Sequence, residues 1–147
     1  MIPIFNPGGQ LPEGIHEATW SEFLERYDIT AHRGTLIEGM KKLILHLKAV
    51  GCRALYVDGS FVTDREIPND YDACWDVHGV KAEKVDKLLL QFSDEAKAEI
   101  QDKYKGDIRP DSFSPMETSG TYLEFFQMDR DGNRKGIIWL SLEEIDL

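Results

Sequence analysis

A change of hydrophobic period within a few residues does most to constrain the fold. Leu36, Met40, Leu43, Ile44 and Leu47 recur every three or four positions through residues 31–50, the stripe of an amphipathic helix. Gly51 stands where such a helix ends, and residues 53–57 are short and apolar before Asp58-Gly59-Ser60 turns the chain. A long helix feeding at once into a buried strand calls for a sheet covered by that helix. In residues 70–77 the carboxylates Asp70, Asp72 and Asp76 fall on one side of a period-two pattern, which predicts a second strand with one acidic face.

The rest of the chain fits around this pair. Residues 1–18 hold Pro3, Pro7 and Pro12 with Gly8, Gly9 and Gly14 and follow neither period, so they read as an extended arm pinned by Ile2, Ile4, Phe5, Leu11 and Ile15. Thr19-Trp-Ser-Glu22 is a capping box that opens a short helix over 20–27. Residues 80–104 have a helical composition, with Ser93 as the point where the helix can break, and 107–110 form a short strand that Pro110 ends. After a polar loop to Gly120, residues 121–128 and 136–142 read as strands of a hairpin turning at Asp131-Gly132. The expectation is one α+β domain over residues 1–147, a small mixed β-sheet packed against helices.

Composition removes several functions. Apolar residues at 41% and charged residues at 30% exclude wholesale disorder, and no apolar run approaches the ~20 residues of a membrane span. The opening residues lack the basic start and unbroken apolar stretch of a signal peptide, which predicts a cytoplasmic protein. Cys52 and Cys74 are too few and too far apart for a zinc site, and the four histidines are dispersed. A net charge of −10 opposes broad coating of nucleic acid, while leaving room for docking on a local basic patch.

The chemistry lies in Asp58-Gly59-Ser60 and, nine residues on, Asp70-Tyr71-Asp72. Carboxylates at i and i+2 of a strand share a face and repel unless a cation joins them. Mg²⁺ suits such a pair, because it takes one or two carboxylates and completes its shell with water and substrate phosphates. Gly59 lets backbone approach a ligand closely, and Ser60 adds a hydroxyl and an amide for outer phosphates.

Gly59-Ser60 followed by Asp70-Tyr71-Asp72 resembles the signature of the DNA polymerase beta-like nucleotidyltransferase superfamily. The runs Leu11-Pro12-Glu13-Gly14-Ile15-His16, Tyr56-Val57-Asp58-Gly59-Ser60-Phe61-Val62-Thr63 and Leu123-Glu124-Phe125-Phe126-Gln127 are similar to those of a family of small bacterial nucleotidyltransferase-like proteins. The resemblance implies that fold, a nucleoside triphosphate substrate and two Mg²⁺ ions. It implies transfer of a nucleoside monophosphate to a hydroxyl on a protein or RNA acceptor. It casts Asp70 and Asp72 as catalytic metal ligands with a third carboxylate, for which Asp107 is the first choice, Glu124 the second and Asp111 the third. Thr63 stands where minimal members carry an arginine, so Arg65 is the nearest replacement, with Lys103, Lys105 and Arg109 as other sources of positive charge. Asp58 stands where an apolar residue is commoner. The same resemblance admits an inactive nucleotide-binding or partner-binding protein of a toxin-antitoxin or phage-defence system, with a cognate toxin or antitoxin as partner.

Overall fold

The structure, a computed structural model, describes residues 1–112, 121–129 and 131–147. A five-stranded mixed sheet has the order β1-β5-β2-β3-β4, with β1 Gly14–Ala18, β2 Ala54–Asp58, β3 Tyr71–Trp75, β4 Gly106–Pro110 and β5 Gly136–Ser141. The outer pairs β1/β5 and β3/β4 are parallel and the inner pairs β5/β2 and β2/β3 antiparallel. The helices are α1 Trp20–Tyr27, α2 Ala31–Ala49, α3 Asp94–Tyr104 and α4 Tyr122–Phe125. Among the described residues no helix is long and apolar enough to cross a membrane.

One sheet face is the core. Leu55 and Val57 of β2, Tyr71, Ala73 and Trp75 of β3, and Ile138 and Leu140 of β5 pack with Phe23 and Tyr27 of α1 and Leu36, Met40, Leu43, Ile44 and Leu47 of α2. Strand alternation then sends Asp58, Asp72 and Asp107 to the opposite face. Gly39 lets α2 approach the end of α3, since a Cβ there would strike the Tyr104 carbonyl.

The helices also hold the turn after β2. Arg33, only 1% exposed, lies one turn before Leu36 on the apolar stripe of α2. Its guanidinium donates to the carbonyls of Phe61 (2.7 Å), Thr63 (3.0 Å) and Arg65 (2.5 and 3.2 Å). It also sits over the rings of Phe61 and Tyr27, and the Tyr27 hydroxyl donates to the Val62 carbonyl at 3.0 Å. Burial lowers the proton affinity of Arg33, yet a guanidinium stays charged at any physiological pH.

Three expectations need correction. The arm over 1–18 ends in a true strand, β1, whose pairing with β5 joins residues far apart in sequence and is invisible to a local pattern. Residues 80–104 are helical by α-type bonds only from Asp94, after the Ser93 cap, and Ala82–Lys84 and Lys87–Leu90 are single 3₁₀ turns. Asp86 separates those turns: its carboxylate accepts from Lys103 and Tyr104 at 2.6 Å each, and its N–H donates to His46, bonds a continuous helix would forbid. The expected strand 121–128 is instead helical over Tyr122–Phe125, because Thr121 accepts from the Glu124 amide as an N-cap. Of the hairpin, a bridge joins Met128 and Arg134, Lys135 N–H donates to the Gln127 carbonyl at 2.9 Å and Asp129 N–H to the Asn133 carbonyl at 2.8 Å, and the Asp129 carboxylate accepts from the Asp131 and Asn133 amides. Most of the polar loop expected before Gly120, residues 113–120, lies outside the described residues.

Arg33→Met strands the three carbonyls that the guanidinium satisfies and should cost about 3 kcal/mol or more. Urea denaturation of the variant measures this, and Arg33→Lys is expected to recover only a minor part, because an ammonium cannot span the same fork of acceptors.

Candidate functional site

Strand register assembles the site. Asp58 lies opposite Asp72 across β2 and β3, and Asp72 lies opposite Asp107 across β3 and β4, so three carboxylates form one row on the face away from the core. Direct partners on neighbouring strands hold their Cβ atoms ~5 Å apart. The row lines a cleft of about 670 Å³ with Glu124, Phe125, Phe126 and Met128 on its other wall. Asp70 precedes β3 by one residue and does not line the cleft, but it is close enough to act electrostatically on Asp72.

Burial and crowding raise these acids. The Asp72 carboxyl is pushed up to about 7, first by burial and then by the charges of Asp70, Asp107 and Asp58. Burial raises Asp58 to about 6 against the pull of Lys135, and raises Asp70 with help from Asp107. Asp107 has counter-ions, Arg109 at 3.4 Å and Lys97 at 3.8 Å. Asp72 has no ion pair among the described residues.

The Gly59–Ser60 turn abuts the row. Gly59 has φ of +83°, and a Cβ on it would fall on the Asp72 carboxylate. Glycine therefore serves both the left-handed backbone and the close approach of that side chain. Gly59, Ser60, Thr63 and Arg65 line a second cleft of about 280 Å³ against Gly8 and Gln10 of the arm, and Asp64 N–H donates to the Gly9 carbonyl at 3.0 Å. Lys135, just before β5, lines both clefts and lies 3.2 Å from Asp58.

Of the residues singled out in the sequence, Asp72, Asp107 and Glu124 line the first cleft and Gly59, Ser60 and Arg65 the second. Asp111 stands two residues beyond Arg109 and interacts with Asp76 rather than with the row. Lys103 is engaged by Asp86 and Arg109 by Asp107. Arg33 and Lys135 were not legible as site residues. Arg33 had a signal, a charge on the apolar stripe of α2, whereas Lys135 reaches Asp58 only because β5 inserts beside β2.

The donor chemistry fits a hard cation, since every candidate ligand in the row is a carboxylate oxygen and their repulsion is only partly offset. Among the described residues no three His, Cys, Asp or Glu side chains form a ready metal-holding group. A Mg²⁺ site needs fewer, because waters and phosphate oxygens complete its shell.

Residues 3–141 match a family of unknown function, DUF6932, and the chain belongs to that family. No curated protein and no solved structure matches it.

The raised acids set a pH dependence. The folded state holds protons on Asp58 and Asp72 that the unfolded chain has already released, so stability falls as pH rises from about 4 to about 7, then levels. Asp72→Asn removes much of that penalty. The variant should be more stable than the wild type at pH 8 by on the order of 2 kcal/mol, with the gap narrowing toward pH 5. Denaturant titrations at the two pH values measure it.

Proposed function

We propose that the protein is a metal-dependent nucleotidyltransferase that moves a nucleoside monophosphate from a nucleoside triphosphate to a hydroxyl on a protein or RNA acceptor. The observation that carries this reading is the contact between the Gly59–Ser60 turn and Asp72, in a row with Asp107 and with Asp70 beside it. A turn suited to phosphate thus adjoins carboxylates suited to the cation that accompanies phosphate.

In this reading Asp70, Asp72 and Asp107 hold Mg²⁺, two ions of which supply neutralisation of the triphosphate and acidification of the acceptor hydroxyl. Gly59 and Ser60 take the outer phosphates, and Arg65 adds charge at the rim of the second cleft. Phe125, half exposed in the cleft wall, offers a ring for the base. The acceptor oxygen bonds to the α-phosphorus, the bond from that phosphorus to the β-bridging oxygen breaks, pyrophosphate leaves, and the acceptor proton passes to water.

One observation favours a second reading. Asp107 is already paired with Arg109 and Lys97, as suits a scaffold that binds nucleotide or a partner protein without transfer, in a toxin-antitoxin or phage-defence setting.

Thermal denaturation with each nucleoside triphosphate, with and without Mg²⁺, tests the first reading. One triphosphate is expected to raise Tm by about 9 °C at a hundredfold excess over its Kd, only with Mg²⁺. Asp70→Asn/Asp72→Asn should fold yet lose the response. Silence of the wild type toward all four nucleotides overturns it, and Mg²⁺-independent binding that survives the double substitution favours the non-catalytic protein.

A further inference from the structure

Lys135 is the cation common to both clefts, bordering the carboxylate row on one side and Gly59, Ser60 and Arg65 on the other. Its partner Asp58 is 2% exposed, and Lys135 itself is 18% exposed. The ammonium stands 3.2 Å from Asp58 Oδ1, and Lys135 with the Gly59 backbone offsets part of what burial costs that carboxylate.

The backbone around Lys135 is tied down on both sides. Lys135 N–H donates to the Gln127 carbonyl at 2.9 Å and Gly136 N–H to the Leu11 carbonyl at 3.2 Å. A flexible four-carbon stem lets the charge swing from Asp58 toward Ser60 without moving the chain. Among the described residues, Arg109 and Lys97 pair with Asp107, and Lys103 pairs with Asp86. Arg65 borders the second cleft alone and is exposed.

We propose that Lys135 is the phosphate-binding cation of the site, held by Asp58 in the free protein and handed to the polyphosphate chain of a nucleotide lying along the Gly59–Ser60 turn. The inference rests on the nucleotide reading above and adds to it a specific residue and an exchange of partners. A phosphate chain carries more charge than one carboxylate and competes for the ammonium, while Asp58 keeps that ammonium from standing unpaired at the junction of the clefts.

Calorimetric titration of the full chain with inorganic tripolyphosphate and with the four nucleoside triphosphates, all with Mg²⁺, tests the exchange in wild type, Lys135→Gln, Lys135→Arg and Asp58→Asn. Lys135→Gln is expected to weaken tripolyphosphate about tenfold or more, and Lys135→Arg to stay within about threefold of wild type. Asp58→Asn frees the ammonium and should tighten binding about threefold. Wild-type affinity in Lys135→Gln overturns the proposal while leaving the nucleotide reading intact. Weakening in Asp58→Asn as large as in Lys135→Gln also overturns it, since the pair then serves only the fold. Absence of triphosphate binding by the wild type removes both readings together. Independently of any variant's folding, the side-chain nitrogen resonance of Lys135 in the wild-type chain should move on addition of Mg²⁺-tripolyphosphate, and a resonance that stays put overturns the exchange.

Discussion

A buried guanidinium facing carbonyl oxygens holds this architecture in place. Among the described residues Arg33 has no carboxylate partner; its charge is met by the carbonyls of Phe61, Thr63 and Arg65 and by two aromatic faces. Burying such a cation is costly unless every donor is used, and the segment after Gly59 is bent so that its carbonyls converge on the fork. The consequence runs outward: the helix fixes the loop, the loop fixes the Gly59–Ser60 turn, and the turn lies against Asp72. The buried core therefore sets the position of the carboxylate row on the opposite sheet face.

Electrostatic tension on the other sheet face has a different origin. Asp58, Asp72 and Asp107 come from three strands and are made neighbours by register alone. Lys135 relieves one end of the row and Arg109 with Lys97 the other, while the middle carboxylate, Asp72, is pushed up to about 7 by burial and by the charges of its neighbours. At neutral pH such a carboxyl is held between its protonated and ionised forms, because burial and neighbouring charges disfavour the anion.

How much of this was written locally in the chain varies by element. α1, α2, β2 and β3 were legible because a capping box, a 3.6-residue stripe and a two-residue alternation are short-range signals. β1 was not, because Gly14 finds Gly136 only in the folded sheet. Thr121-Tyr-Leu-Glu124 carried the same capping signal as Thr19-Trp-Ser-Glu22, but aromatic and β-prone residues masked it. In the site, Asp72, Gly59 and Ser60 were readable from spacing, and Asp107 was the first of three choices that the family resemblance implied. Asp70 falls outside the cleft lining by one residue of strand length, and Lys135 depended on strand insertion that no window of sequence contains.

The carboxylate row also guards against misassembly. Sliding β3 by one residue against its neighbours would turn Asp72 toward the helices and Ala73 toward the cleft, placing a charged group among Leu43, Leu47 and Val57. Such a misfit leaves a charge in an apolar core at a cost its new contacts do not repay, so the sequence admits one register at β3. Residues suited to chemistry thus act as proofreaders of the topology that brings them together.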